Sequence, residues 1–351
     1  MKVCLRAILY NRFTTKPYKA EAKQTVSHNN TVIHQLLRFI PRHEFESLAK
    51  QHHKGRSFRT ASRWSQFVTL TIAQLAGRSS LRDIVENMTA QLHRLYHIGT
   101  VKLSRTTLAR INEDKPYALY EALFGRVLAR CQAVSPKHNF RFKNALFSLD
   151  ATTIDLCLSA FPWAEFRSTK GAIKLHVGLN HNGYLPEFIT ITDGKTHDIT
   201  AARALKLPPG SIVAVDKGYN DYKWYNHLNN NGIFFVTRLK SNAKYRVLVR
   251  QDVDKSKGIT SDQVIQFTGS VTSERCPIAL RRIGYRDDVT GKRYVFLTNN
   301  RTLSAKTIAE IYKARWQVEL FFKWIKQNLK IKSFIGTSKN AVLTQIWIAM
   351  C

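Results

Sequence analysis

Three acids stand where a carboxylate is costly to keep. Asp150 closes the apolar run "LFSLD", Asp216 closes "SIVAVD", and Glu319 is the one acid of "YKARWQVELFFKWIK" (residues 312–326), set among Lys313, Arg315, Lys323 and Lys326. An acid at the end of a buried strand needs solvent, a counter-charge or a bound cation. Together the three would make a set of hard oxygen ligands suited to Mg²⁺ or Mn²⁺. Two such ions roughly 3.5–4 Å apart can activate an attacking oxygen and stabilise a leaving one, which is what phosphodiester chemistry requires. On a helix turning about 100° per residue, Arg315, Glu319 and Lys326 fall at about 300°, 340° and 320° from Tyr312, in one narrow stripe. Beside it Ile311, Val318, Phe322, Ile325 and Leu329 mark a core-facing arc. Arg315, Lys323 and Lys326 would then hold phosphates, with Tyr312 offering a hydroxyl or a stacking ring. Each strand-end aspartate taken alone also admits a structural reading. Asp155, an odd interval after Asp150, points to the opposite face and reads as structural, and Asp221 reads as a helix N-cap.

The elements that must position these groups follow from periodicity. From Thr31 to about Ala133, apolar residues recur at three- and four-residue intervals, which predicts an α-helical domain. Ser80 with Asp83 makes a capping box, and Gly77 and Gly99 serve as helix stops. From Asn144 the pattern turns to strands: "NALFSLD", "TTIDLCL", "AIKLHVGLN", "YLPEFITITDG" and "GSIVAVDKGY". A helix "NDYKWYNHLNNNG", a strand "IFFVTRLK", short strands over about 241–302 and one long helix from "LSAKTIAEIY" through "KWIKQNLK" complete the chain. The reading is an α/β core with an all-β insertion, preceded by helices.

The 351 residues carry 55 Lys and Arg against 24 acids, a net charge of +31. Such an excess calls for a polyanionic partner, nucleic acid first. Residues 1–145 hold 25 basic and 8 acidic residues and 146–351 hold 30 and 16, so no single tail explains the charge. Within the helical part, "LSRTTLARIN" (103–112) has the form of a short recognition helix, with Ser104 as N-cap and Arg105 and Arg110 outward. "KGRSFRTASR" (54–63) alternates Arg56, Arg59 and Arg63 with Phe58 and offers phosphate contacts. Five scattered cysteines without C-x-x-C spacing argue against a structural zinc site or a disulfide framework and fit a reducing cytosol. No apolar run reaches membrane-span length. His197 with Asp198, the His52–His53 pair and His176 read as turn, loop and sheet residues, and Trp316 and Trp324 are the candidates for base stacking.

The spacing Y-x2-R-x3-E-x6-K, here Tyr312, Arg315, Glu319 and Lys326, resembles the signature of bacterial insertion-sequence transposases of the IS-four family. "SLDATTID" and "AVDKGYND" resemble that family's two catalytic-aspartate regions, in order. The resemblance covers roughly residues 140–350, and "QLLRFIPRHEFESLAKQHHKGRSFRTASRWSQF" is similar to the N-terminal domain of one branch. It implies an RNase H-like catalytic core with Asp150, Asp216 and Glu319 as DDE ligands of two Mg²⁺ or Mn²⁺ ions. The 103-residue interval from Asp216 to Glu319 would house the family's β-rich insert. It implies cut-and-paste transposition: cleavage at the element's terminal inverted repeats, then attack of the freed 3′-hydroxyl on target DNA, in a homodimeric synaptic complex in the bacterial cytoplasm. Tyr312, Arg315 and Lys326 carry over as contacts to DNA near the cleaved end. The expected division is a mobile basic leader (1–30), a helical DNA-binding domain (31–138) and the DDE domain (139–351). The chain stops at "TQIWIAMC", where such relatives usually continue with more helix. An RNase H-like nuclease that cuts without joining, or a truncated relic that binds ends and inhibits, are the alternatives.

Overall fold

The computed structural model of the chain describes residues 31–59, 61–328 and 334–351; the leader expected over 1–30 lies outside them. The elements in chain order are helices α1 (Val32–Leu37), α2 (Arg42–Gln51), α3 (Arg63–Leu75), α4 (Leu81–Ala90), α5 (Leu92–Leu95), α6 (Arg105–Asp114) and α7 (Ala118–Ala133). Then follow β1 (Leu146–Leu156), β2 (Glu165–Arg167), β3 (Lys170–Asn180), β4 (Leu185–Asp193), α8 (Asp198–Arg203), β5 (Ile212–Val215), α9 (Tyr222–Asn230) and β6 (Phe234–Arg238). The rest are β7 (Tyr245–Gln251), β8 (Ile259–Phe267), α10 (Ser270–Arg275), β9 (Leu280–Arg286), β10 (Arg293–Thr298), α11 (Ala305–Ala314), α12 (Trp316–Asn328) and α13 (Lys339–Met350). The chain forms two compact units: residues up to Ser135 with Ile154–Ile173 and Lys323–Cys351, and Pro136–Thr153 with Lys174–Phe322. The division expected from sequence, 31–138 and 139–351, does not follow these lines, because two later segments join the helices. Among the described residues, no helix is long and apolar enough to cross a membrane.

The first unit is built on helix caps and an aromatic core. Ser62, Ser80 and Ser104 each accept a backbone N–H three residues on, starting α3, α4 and α6. Gly77 and Gly99, at φ 67° and 63°, take the left-handed conformation after α3 and α5 that a side chain would resist. Phe45, Trp64, Phe67 and Tyr120 pack ring to ring, with centroids 5.0–6.1 Å apart. The terminal apolar run, which has no helical face because both sides are apolar, is α13. It is buried against α3, α6 and α7, and Asn340 donates to the carbonyls of Asn112 and Lys115.

The second unit is built on a sheet whose strands run β3-β1-β5-β6-β10-β9-β8-β7, with β4 also paired to β3 and β2 preceding β3 in the order. His181 N–H donates to the Leu146 carbonyl, so β3 runs back along β1, and residues 181–184 turn β3 into β4. β1, β5 and β6 are parallel, with Leu149 opposite Val215 and Ala214 opposite Val236. Three antiparallel strands followed by two parallel ones is the order of an RNase H-like core. "IVAV" is buried on both faces, as a central parallel strand must be. Alternation then decides direction: Phe147, Leu149, Val213 and Val215 pack with α9, whereas Leu146, Ile212 and Ala214 pack with Ile308 and Ile311 of α11. The segment expected as an all-β insertion, about 241–302, holds β7–β10, one short α-helix, α10, and a single 3-10 turn at Lys255–Lys257. It extends the same sheet, since β10 pairs with β6.

Candidate active site

Register builds the site. β1 and β5 pair up to Leu149 opposite Val215, so one step further Asp150 stands beside Asp216, and both share the parity of the residues that face α11. β5 and β6 pair up to Ala214 opposite Val236, and two steps further Asp216 stands beside Arg238. Three neighbouring strands thus present Asp150, Asp216 and Arg238 in one row on one face. Asp150 does not end its strand as the apolar run implied: β1 continues to Leu156. What ends at Leu149 is its pairing with β5.

The helix side supplies the rest, with one change from the expected continuous helix. Arg315 interrupts it: the Arg315 N–H bonds to the Tyr312 carbonyl and the Val318 N–H to the Arg315 carbonyl, both i to i+3, so α11 and α12 meet at a one-residue joint. From this joint Arg315 donates to Glu319 Oε1 at 2.6 Å and to Asp150 Oδ2 at 3.4 Å. Tyr312 Oη donates to Asp216 Oδ1 at 3.1 Å, and Arg238 to the same oxygen at 3.0 Å. The two guanidiniums lie 5.6 and 5.8 Å from the Tyr312 ring centre, within cation–π range. One network therefore contains Asp150, Asp216 and Glu319.

The two aspartates differ electrostatically although they are neighbours. Burial pushes the Asp150 carboxyl up to about 6; the Ala151 N–H and Arg315 pull it down and the charges of Glu319 and Asp216 push it up further. Burial also acts on Asp216, but hydrogen bonds from the Lys217 N–H, Tyr312 and Arg238 outweigh it and hold the group below the usual carboxylate range. Burial lifts Tyr312 to about 12, so its hydroxyl is a neutral donor. Arg315 stays charged, because Glu319, Tyr312 and Asp150 outweigh its burial.

The donor set fits a hard divalent cation: carboxylate oxygens, one of them on a desolvated group that a cation would relieve. Among the described residues, however, no three or more His, Cys, Asp or Glu groups are disposed to hold a metal ion. The Arg315 guanidinium reaches both Asp150 and Glu319, and Arg238 takes Asp216. Arg315 was expected to face phosphates; it is instead buried against the acids.

The remaining candidates divide. Lys323 is exposed and Lys326 half-buried, on the part of α12 that belongs to the first unit. Arg105, Arg110 and Arg59 are exposed. Lys115 Nζ donates to the carbonyls of Lys54 and Arg56, tying the basic loop 54–59 to the end of α6. Arg63, expected to meet phosphate, differs from those arginines: it is buried at 7% exposure, donates to the Pro116 carbonyl and lies over the Tyr120 ring, packed into the helical core. His197 precedes α8 and Asp198 pairs with Lys174. Sequence reasoning missed Arg238, although "FFVTR" ends an apolar strand in a charge just as "SIVAVD" does. It also missed Ser148, which lies two residues before Asp150 on the same face and hydrogen-bonds to His181 at 2.7 Å. Burial holds that histidine down to about 4, and hence neutral.

Residues 141–351 match the Transposase DDE domain family. Residues 28–101 match a family described as a domain of unknown function (DUF4372). Transposase y4zB of Sinorhizobium fredii is 32% identical over 69% of this chain and 68% of its own length. A transposase for insertion sequence element IS5377 of Geobacillus stearothermophilus is 26% identical over 72% of this chain and 66% of its own. One for IS4SA of Synechocystis is 26% identical over 58% and 56%. Among solved structures, the piggyBac transposase synaptic complex with hairpin DNA is similar at a TM-score of 0.44 and 10% identity, over 90% of this chain and 70% of that one.

Proposed function

The chain belongs to the Transposase DDE domain family, and on that premise we propose that it cuts DNA at the ends of an insertion sequence of the IS-four type and joins them to a target. Asp150, Asp216 and Glu319 are the acids of the reaction in this reading. What supports it above all is the register row: two aspartates on adjacent parallel strands, with Glu319 linked to the first through Arg315. Membership of the family carries dependence on a divalent metal. We take it as two Mg²⁺ or Mn²⁺ ions held by these three carboxylates, which would polarise the scissile phosphate and acidify the attacking group. Asp216, held ionised by Tyr312 and Arg238, is the fixed anion of the set. Asp150, whose charge burial resists, gains most from a cation. Tyr312 and Arg238 keep Asp216 oriented. Lys323 and Lys326, further along α12, are the cations we assign to DNA beyond the acids.

The helical segment 31–138 is assigned to recognition of the terminal inverted repeats. Exposed Arg105 and Arg110 of α6 and exposed Arg59 of the loop that Lys115 ties to it form the phosphate-binding surface. The protein would act in the bacterial cytoplasm, and joining two ends calls for two protomers. The test is a plasmid carrying two element ends, incubated with the chain and Mg²⁺ or with EDTA. Metal-dependent joined products are the expected outcome. Nicks without joining would mark a nuclease, and a gel shift without cleavage a relic that only binds ends.

A further inference from the structure

Resting on that reading of the three acids, we infer that Arg315 is a built-in counter-cation: its guanidinium spans Asp150 and Glu319, on the oxygens a divalent ion would take, and must withdraw for such an ion to bind there. Arg315 is a positioning residue in this role. It holds two acids from different elements, β1 and α12, that would otherwise repel each other across the site.

Three features mark the pairing as one built to be broken. Its two contacts are unequal, 2.6 Å to Glu319 and 3.4 Å to Asp150, and they go to different carboxylates where a bidentate fork would close on one. The third donor, Arg315 Nε, is buried with no partner, so the paired state leaves hydrogen-bonding capacity unused. The side chain also springs from the joint between α11 and α12, where i to i+3 bonds replace the helical ladder. Charge points the same way. Three carboxylates in the network face the two guanidiniums of Arg315 and Arg238, leaving one net negative charge. A divalent ion entering with both guanidiniums in place would make the network positive, and Arg315 is the guanidinium that covers two prospective ligands.

Competition between a guanidinium and a metal for the same oxygens has a direct signature: removing the guanidinium strengthens metal binding. The metal-free full chain is titrated with Mn²⁺, free ion being read by electron paramagnetic resonance, without DNA or turnover. R315Q is expected to bind Mn²⁺ about tenfold more tightly than the unchanged protein, and R315K, whose compact ammonium cannot span two acids as well, to fall between them. E319Q should weaken binding in either background. Affinity in R315Q and R315K equal to or below that of the unchanged protein would overturn the inference, while sensitivity to E319Q would leave the assignment of the acids standing. Binding that E319Q does not weaken would overturn both. If R315Q fails to fold, as circular dichroism would reveal, R315K carries the comparison, and an unaltered affinity there overturns the inference equally.

Discussion

Arg281 and Arg315 are both buried arginines facing carboxylates in the second unit, and they treat those carboxylates differently. Arg281 closes a fork on one acid, Nε to Asp262 Oδ1 at 2.9 Å and Nη2 to Oδ2 at 2.6 Å, and spends Nη1 on the Leu303 carbonyl at 2.5 Å. Both its side chain and that of Asp262 are nearly inaccessible, at 6% and 5% exposure. Arg315 reaches two acids, leaves Nε unpaired, and one of its acids, Glu319, is a third exposed. A fully satisfied buried pair has one arrangement and locks β8 to β9. A partly satisfied pair opening toward solvent has alternatives. On the inference drawn above, the difference between these two pairs is how completely each is satisfied: Arg281 spends its nitrogens on Asp262 and Leu303 and Arg315 does not.

The largest expected effect tests the functional side. Glu319→Ala should remove Mg²⁺-dependent cleavage by several orders of magnitude while end binding in a gel shift stays near normal, because in the proposed reading the acid serves metal and not phosphate. Normal cleavage with a large loss of affinity would reverse the roles. On the structural side, Arg281→Ala strands Asp262 as an unpaired buried charge and should cost about 3–5 kcal/mol in urea unfolding. A cost below about 1 kcal/mol would erase the distinction between the two pairs.

The neighbouring aspartates sharpen it further, with opposite signs. Asp150 has its folded value raised from 3.8 to about 6. Between those limits the folded state holds a proton the unfolded chain has released, so stability falls as pH rises through the window. Asp150→Asn should therefore stabilise the metal-free protein at pH 7, by up to about 3 kcal/mol, with the gain vanishing near pH 3.5. Asp216 has its folded value lowered; its contribution is present above 3.8 and lost as pH falls. Asp216→Asn should destabilise at pH 7. Urea titrations in EDTA at the two pH values decide it, and the same sign for both variants would refute the electrostatic contrast.

Much of this was legible in the chain, for identifiable reasons. Asp150 and Asp216 stood out because each interrupts a β-rich apolar run, and the helix stripe exposed Glu319. Ser80, Ser104 and Asp221 declared their helices because capping is local chemistry. What stayed hidden depends on tertiary neighbours. The row that includes Arg238 exists only once β5 pairs with β6. The break at Arg315 occurs without proline or glycine. α13, apolar on every side with Thr344 and Gln345 buried among its apolar residues, had no polar face to show that it packs against helices more than 200 residues earlier, where Asn340 meets Asn112. Arg63 looked like a phosphate ligand because the partner that buries it, Tyr120, lies 57 residues away.

That last case yields the smallest predicted effect and an internal control. Arg59 and Arg110 are exposed and Arg63 is buried, although all three belong to basic, superficially similar stretches. Each phosphate contact releases about one condensed counterion, so Arg59→Ala and Arg110→Ala should each lower the slope of log affinity against log salt by about 1, measured by fluorescence anisotropy on end-containing duplex. Arg63→Ala should leave the slope unchanged and lower thermal stability instead, since it empties a packed position over Tyr120 and frees the Pro116 carbonyl. If all three shift the slope alike, exposure is a poor guide to DNA contact in this unit, and the surface formed by α6 and the loop 54–59 loses its support.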